Sequence, residues 1–385
     1  MLFGQYRARK STIRLADRGR YYNRLSMTAS VRSFAKINLG LCIGPRRPDG
    51  FHELRTVYQT IALHDVLKVR VERGSGIEIR CADPRVPTDK SNTCYAMVER
   101  AIDAIEAEGR VVLEIEKRLP VQGGLGGASG NAVAALLGLE MALKKQLTTS
   151  ERLRIAAEVG SDVPLFLVGG TVLGVGRGED VYPLPDLATF PIVIATPEIG
   201  VSTPRAFADW DARMPSAENP AELRSGSTGV DPSTGSGQAA RRSTELSKLT
   251  GVQPSDRMDA FSRKISSWLG SVPLRGGHFS GVPAGGRGRA ETLLLDLVRT
   301  GIENDFEQVV FPQYPALRDV KCALERAGAV YASLSGSGSA LYGLFRTMAG
   351  AQKAATRLRK EGIPAQATVT LTRPQYWRKF RVSGF

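Results

Sequence analysis

Four glycines fall within five positions of the stretch Pro120-Val121-Gln122-Gly123-Gly124-Leu125-Gly126-Gly127-Ala128-Ser129-Gly130-Asn131. Lacking a Cβ, such a backbone can turn through positive φ and approach a ligand closely. It runs directly into residues 132–145, an Ala/Leu-rich segment of high helix propensity. A helix N-terminus offers free N–H groups and the positive end of a dipole, so loop and helix together form an anion cradle suited to a polyphosphate. Two familiar phosphate loops are excluded. The P-loop needs a terminal Gly-Lys-Ser/Thr, yet no lysine follows until Lys144. The dinucleotide pattern started by Gly124 and Gly126 meets Ser129 where a glycine is required. A turn with no function is the plainer alternative, but so many adjacent glycines weaken a purely structural turn.

Three other segments carry reactive groups. Lys36 sits inside the apolar run Phe34-Ala35-Lys36-Ile37-Asn38-Leu39, and Asp162 in the turn Gly160-Ser161-Asp162-Val163-Pro164. Taken singly, the lysine reads as a snorkelling strand residue and the aspartate as a cap. A second Gly-rich turn, Ser335-Gly336-Ser337-Gly338-Ser339, lies near the C-terminus. The 4 cysteines are scattered without a Cys-x-x-Cys pair, and His52, His64 and His278 lie far apart. This pattern argues against a zinc site or a disulfide framework and fits reduced thiols in the cytoplasm.

The elements that must hold these groups alternate irregularly. Residues 31–39, 67–71, 77–81, 111–117 and 192–196 read as strands, and 92–107, 132–145 and 151–159 as helices. Helices over 316–327 and 350–361 and strands over 341–345 and 366–372 complete the C-terminal third. Without a regular βαβ repeat, the fold class is α+β. More than half of residues 216–238 are Ser, Thr, Gly or Pro, which marks a linker or a poorly ordered insertion. Beyond it, Met258, Phe261, Ile265 and Trp268 recur at helical spacing after Ser255, and such a face packs by default on its own C-terminal domain.

Hydrophobic residues at 42% and charged residues at 23% of the 385 are average for globular proteins and exclude extensive disorder. No apolar run is long enough to span a bilayer. The net charge of +14 favours anionic partners. Residues 1–26 carry seven Lys/Arg against Asp17 alone, without a secretory h-region, and read as a disordered basic extension rather than a nucleic-acid or membrane arm.

As a set, these motifs resemble the GHMP kinases. Ala35–Leu39 is followed by Arg47-Pro48-Asp49-Gly50-Phe51-His52-Glu53-Leu54, then Lys117-Arg118-Leu119-Pro120 leads into the glycine loop. Asp162 and its turn, Asn304-Asp305-Phe306-Glu307 and the Ser335–Ser339 turn continue in the family order. The resemblance covers about residues 29–210 and 290–372. It is strongest to the branch that acts on a cytidine diphosphate derivative of methylerythritol.

The resemblance implies a two-domain fold, with a ribosomal-protein-like N-terminal domain over 29–190 and a ferredoxin-like C-terminal domain over 191–372. An extension (1–28), an insertion at about 211–289 without matched site residues, and a tail (373–385) lie outside it. The implied reaction moves the γ-phosphoryl of ATP to the 2-hydroxyl of that substrate, in non-mevalonate isoprenoid precursor synthesis. Lys36 and Asp162 match catalytic positions. Pro120, Gly123, Gly124, Leu125, Gly126, Gly127, Ala128, Ser129 and Gly130 match the phosphate loop, with Asn92 and Lys117 on the adenine side. Asn38, Phe51, His52 and Phe207 match substrate-binding positions, the two phenylalanines by stacking on cytosine and His52 by hydrogen bonds. Mg²⁺ is expected on the ATP phosphates, with no protein metal ligand, in a cytoplasmic monomer or homodimer. Gly130 departs from the family's second serine and removes a hydroxyl from the loop. The rival readings are a homoserine- or mevalonate-type kinase of the same family and, from the basic arm, an RNA-associated protein.

Overall fold

The computed structural model describes residues 27–121, 123–213, 254–272 and 288–382. The basic extension, the Ser/Thr/Gly-rich linker and most of the Gly-rich stretch before residue 288 lie outside them. The chain opens with a long antiparallel pair, β1 (Met27–Arg46) and β2 (His52–Glu72), in register from Met27↔Val71 to Arg46↔His52. Sequence pattern alone suggests short separate strands here. The reason is that Lys36, Asn38, Thr56, Gln59, Thr60 and Asp65 are buried polar residues, which break the apolar alternation along continuous strands.

β2 is central to the first sheet. β3 (Ile77–Cys81), β4 (Arg110–Glu116), β5 (Thr171–Val175) and β6 (Asp180–Pro183) complete it in the order β3-β4-β2-β5-β6, with β1 also on β2. Helices α1 (Thr93–Ile105), α2 (Gly127–Leu143) and α3 (Thr149–Val159) belong to the same layer. α2 is buried nearly all round from Gly130 to Ala142, as expected of an Ala/Leu helix with no polar face. Its side chains meet Val31, Leu67, Val69 and Leu113 of the sheet and Met97 of α1 in one core. The short α4 (Leu165–Val168) follows the Asp162 turn.

The second sheet is fully antiparallel, in the order β10-β7-β9-β8, from β7 (Pro191–Ala195), β8 (Tyr331–Leu334), β9 (Leu341–Leu344) and β10 (Ala365–Val369). The helices of this half of the chain are α5 (Thr203–Arg213), α6 (Pro254–Ser271), α7 (Gly288–Arg299), α8 (Glu307–Gln313), α9 (Pro315–Arg326) and α10 (Met348–Lys360). Leu324, Phe311, Leu341 and Leu358 form its core.

Two expectations need correction. Met258, Phe261, Ile265 and Trp268 are buried, but α6 lies against β1, β2 and α7 rather than simply on the C-terminal domain. Its face joins Ile37 and Leu39 of β1 with Ile192 and Tyr342 of the second sheet, so it fills the seam between the two sheets. Beyond residue 372, α11 (Arg373–Phe380) replaces the expected tail. Thr372 and Gln375 cap it reciprocally, and Phe380 enters the first core while the Tyr376 hydroxyl donates to the Phe166 carbonyl at 2.7 Å.

Candidate active site

The glycine loop is held from both sides. The amide of Lys36 on β1 donates to the Leu125 carbonyl at 2.9 Å, and the amide of Ala340 donates to the Gly123 carbonyl at 3.1 Å. The Ser335 hydroxyl donates to the Gly124 carbonyl at 3.0 Å. Gly124 has φ +73°, and a Cβ there would lie 2.2 Å from the Ser335 carbonyl oxygen. The loop's glycines thus answer to protein backbone as much as to a ligand. Gly126, also in the left-handed region, is the residue from which α2 starts.

Gly130 does not face this loop's cavity. It is buried against β1, where a Cβ would lie 2.8 Å from Ser33 Oγ and 2.9 Å from the Phe34 carbonyl oxygen. The glycine here permits a close approach between helix and strand.

Below the loop lies a network of polar groups on adjacent strands. Lys36 is 3% exposed, and its ammonium stands 3.3 Å from Asp162 Oδ2. It donates to Asn38 Oδ1 at 2.7 Å, and Asn38 Nδ2 donates to Thr56 Oγ1 at 2.8 Å. Alternation on β1 places Lys36 and Asn38 on one face, and Asn38 pairs with Tyr58 of β2. The Tyr58 hydroxyl donates to Asp162 Oδ1 at 2.9 Å. Burial first, and then the charge of Asp162, push its phenol well above the usual range, so it stays a donor.

On the far side of the loop, Asn92 caps α1, accepting from the Cys94 amide at 2.9 Å and donating to the Pro87 carbonyl at 2.6 Å. Lys117 forms a buried ion pair with Asp65 at 2.7 Å. Asp65 is fully buried and also accepts from the amides of Arg118 and Leu119, each at 2.7 Å, and from Asn131 Nδ2 at 3.1 Å. Sequence reasoning missed Asp65, because a lone acid after an apolar run looks like a strand end. It ties the end of β4 to the first turn of α2.

The third group stands at the mouth. His52 and Phe207 stack face to face, with centroids 4.9 Å apart and an 11° tilt, and Phe306 meets Phe207 edge-on at 4.9 Å. His52 Nε2 lies 2.6 Å from Asp211 Oδ1. Asp211 was assigned to an insertion without site residues; the last turn of α5 carries it into the cavity wall instead. Phe51 is exposed beneath the Arg177 guanidinium, 5.0 Å away.

These groups line two cavities. One of ≈ 370 Å³ is bordered by Asn92, Lys117, Pro120 and residues 123–129. The other, of ≈ 730 Å³, is bordered by Lys36, Asn38, Phe51, His52, Asp162 and Phe207, together with the unforeseen Tyr58, Arg177 and Asp211. Gly124, Gly126 and Ser129 belong to both. A glycine loop at a helix N-terminus thus separates a chamber flanked by Lys117 from one holding a lysine–aspartate pair. Such an arrangement can present a phosphoryl group to an acceptor across the loop.

Comparison with known proteins agrees with this geometry. The GHMP kinases N terminal domain matches residues 92–170, and the GHMP kinases C terminal domain matches residues 290–364. The 4-diphosphocytidyl-2-C-methyl-D-erythritol kinase of Solibacter usitatus (strain Ellin6076) is 37% identical over 83% of this chain and 81% of its own. That of Acaryochloris marina (strain MBIC 11017) is 30% identical over 86% of this chain and 91% of its own. A crystal structure of 4-(cytidine 5'-diphospho)-2C-methyl-D-erythritol kinase superposes with a TM-score of 0.60 at 26% identity, covering 89% of this chain and 98% of that one. The two-domain α+β architecture is that of a GHMP kinase, an ATP-dependent small-molecule kinase. Within that class, the chain belongs to the 4-diphosphocytidyl-2-C-methyl-D-erythritol kinase family.

Proposed function

We propose that this chain transfers the γ-phosphoryl group of ATP to the 2-hydroxyl of 4-diphosphocytidyl-2-C-methyl-D-erythritol, in the non-mevalonate synthesis of isoprenoid precursors. The observation that carries the proposal is the meeting of the two cavities at Gly124, Gly126 and Ser129, with Lys36 and Asp162 on the acceptor side. ATP occupies the smaller cavity, its phosphates over the loop and the N-terminus of α2, with Asn92 and Lys117 toward the adenine. The acceptor occupies the larger one, its nucleoside against His52, Phe207 and Phe51 and its methylerythritol near Asn38.

In this arrangement Asp162 accepts the proton of the acceptor hydroxyl, and Lys36 stabilises the oxygen as its charge develops. The new bond forms between that oxygen and the γ-phosphorus as the bond to the β–γ bridging oxygen breaks, releasing ADP. Among the described residues no cluster of three or more His, Cys, Asp or Glu could cage a metal. Ser129, at the edge of both cavities, offers one hydroxyl oxygen, which fits Mg²⁺ carried on nucleotide phosphates and water. When bound, that ion neutralises phosphate charge.

Strand order β10-β7-β9-β8, or fourth-first-third-second, supports the ferredoxin-like reading of the second domain. Described cysteines that are all unpaired fit a reducing compartment such as the cytoplasm. A coupled ADP-release assay with the cytidylylated substrate beside homoserine and mevalonate tests the proposal. Turnover confined to the cytidylylated substrate is expected; preference for homoserine or mevalonate would refute it.

A further inference from the structure

One side chain touches both members of the Lys36–Asp162 pair. The Tyr58 hydroxyl donates to Asp162 Oδ1 at 2.9 Å, while the Lys36 ammonium lies 5.6 Å from the centre of the Tyr58 ring. Asp162 Oδ2 faces Lys36 at 3.3 Å. The two carboxylate oxygens are therefore engaged from two strands, Oδ1 from β2 and Oδ2 from β1. Asp162 itself sits in a turn and is 37% exposed, so its own backbone does little to fix the carboxylate plane. Tyr58 is 2% exposed and held between β1 and β5 by its pairing with Asn38 and Val172. A buried strand residue thus aims a partly exposed turn residue.

We propose that Tyr58 is a positioning residue for phosphoryl transfer, whose hydroxyl occupies Asp162 Oδ1 so that Oδ2 alone meets Lys36 and the acceptor hydroxyl. The proposal rests on the catalytic reading of Asp162 given above. A carboxylate rotating freely would present either oxygen, and only one rotamer would lie in line with both the ammonium and the acceptor. Lys36 from β1 and Tyr58 from β2 touch Asp162, Arg177 lines the same cavity, and Glu179 of the β5–β6 turn faces Tyr58. Arg177 pairs with Glu179 at 2.9 Å.

The test is Tyr58→Phe, which keeps the ring beneath Lys36 and removes only the donor. The expected result is a fall in kcat of about tenfold, the loss of one hydrogen bond to a charged group, with KM for both substrates within about twofold. Thermal melting is recorded beside it to show that both proteins are folded. Unchanged kcat, with or without a lower melting temperature, would make Tyr58 merely structural and overturn the proposal. Asp162→Asn separates the two layers. If it is inactive while Tyr58→Phe is normal, only the positioning role fails; if it retains turnover, the catalytic reading falls and the proposal with it.

Discussion

Ser335 and Gly124, 211 residues apart, lock two glycine-rich turns together: the serine hydroxyl holds the glycine carbonyl at 3.0 Å, and the serine's own carbonyl fills the place of a Cβ at 124. The glycine loop ahead of α2 is therefore shaped by the β8–β9 turn. Asn304 extends the link, its amide donating to the Leu334 and Gly336 carbonyls at 2.9 and 2.8 Å.

Gly124→Ala should accordingly do more than obstruct a ligand. A Cβ in the left-handed region costs about 1–2 kcal/mol by itself, and here it also meets a backbone oxygen that cannot swing aside. We expect a lower melting temperature together with lost ATP binding, read by calorimetry. Loss of ATP binding at full stability would instead show that the phosphates alone require this glycine.

Removing either partner of the Lys36–Asp162 pair should silence chemistry while sparing nucleotide binding. Asp162→Asn and Lys36→Ala are each expected to lower kcat by about 10²–10⁴-fold. Single-turnover measurements with ATP pre-bound would check this. Near-normal turnover in either variant would strip that residue of its role.

Asp65 carries a purely structural prediction. Its carboxylate serves Lys117, Asn131 and two backbone amides with no access to solvent. Asp65→Ala strands a buried ammonium and several donors, so a loss of about 3–5 kcal/mol is expected by urea denaturation. A change below about 1 kcal/mol, within the range of an exposed ion pair, would contradict the network.

His52→Ala should raise KM for the cytidine substrate more than KM for ATP, by an amount near one hydrogen bond, about 0.5–1.5 kcal/mol. Asp211→Ala should act in the same direction, because the His52 imidazole loses the partner at 2.6 Å that orients it. Equal effects on both substrates would dissociate this corner from the nucleoside.

Trp268 fills the seam between the sheets at 2% exposure, its Nε1 donating to the Leu293 carbonyl at 3.0 Å. Trp268→Ser should cost about 3–5 kcal/mol, seen as a lower melting temperature. An unchanged melting temperature would mean that α6 contributes little to the fold.

The sequence by itself determined the parts whose signal is local. The glycine run, the helix after it and the amphipathic spacing of Met258, Phe261, Ile265 and Trp268 follow from propensity and period, and all appear near their expected places. The α+β class follows from the irregular order of short apolar runs. Lys36 and Asp162 were visible as residue types and matched motifs, yet their separation of 126 positions said nothing about a distance of 3.3 Å.

Only the tertiary structure decided which groups meet. Tyr58, Asp65, Arg177 and Asp211 carry no motif, because their importance comes from what the folded chain sets beside them. Tyr58 reaches Asp162 because β2 lies between β1 and β5, and Asp211 reaches His52 because α5 returns over the mouth of the cavity. Gly130 went the other way: its place in the loop motif suggested a ligand, and the packing of α2 on β1 turned it toward Ser33. Hydrogen bonds and steric exclusion act over about 3 Å, whereas pattern reports only which face a residue can occupy. The pairing of faces is settled when distant strands and helices pack into the same core.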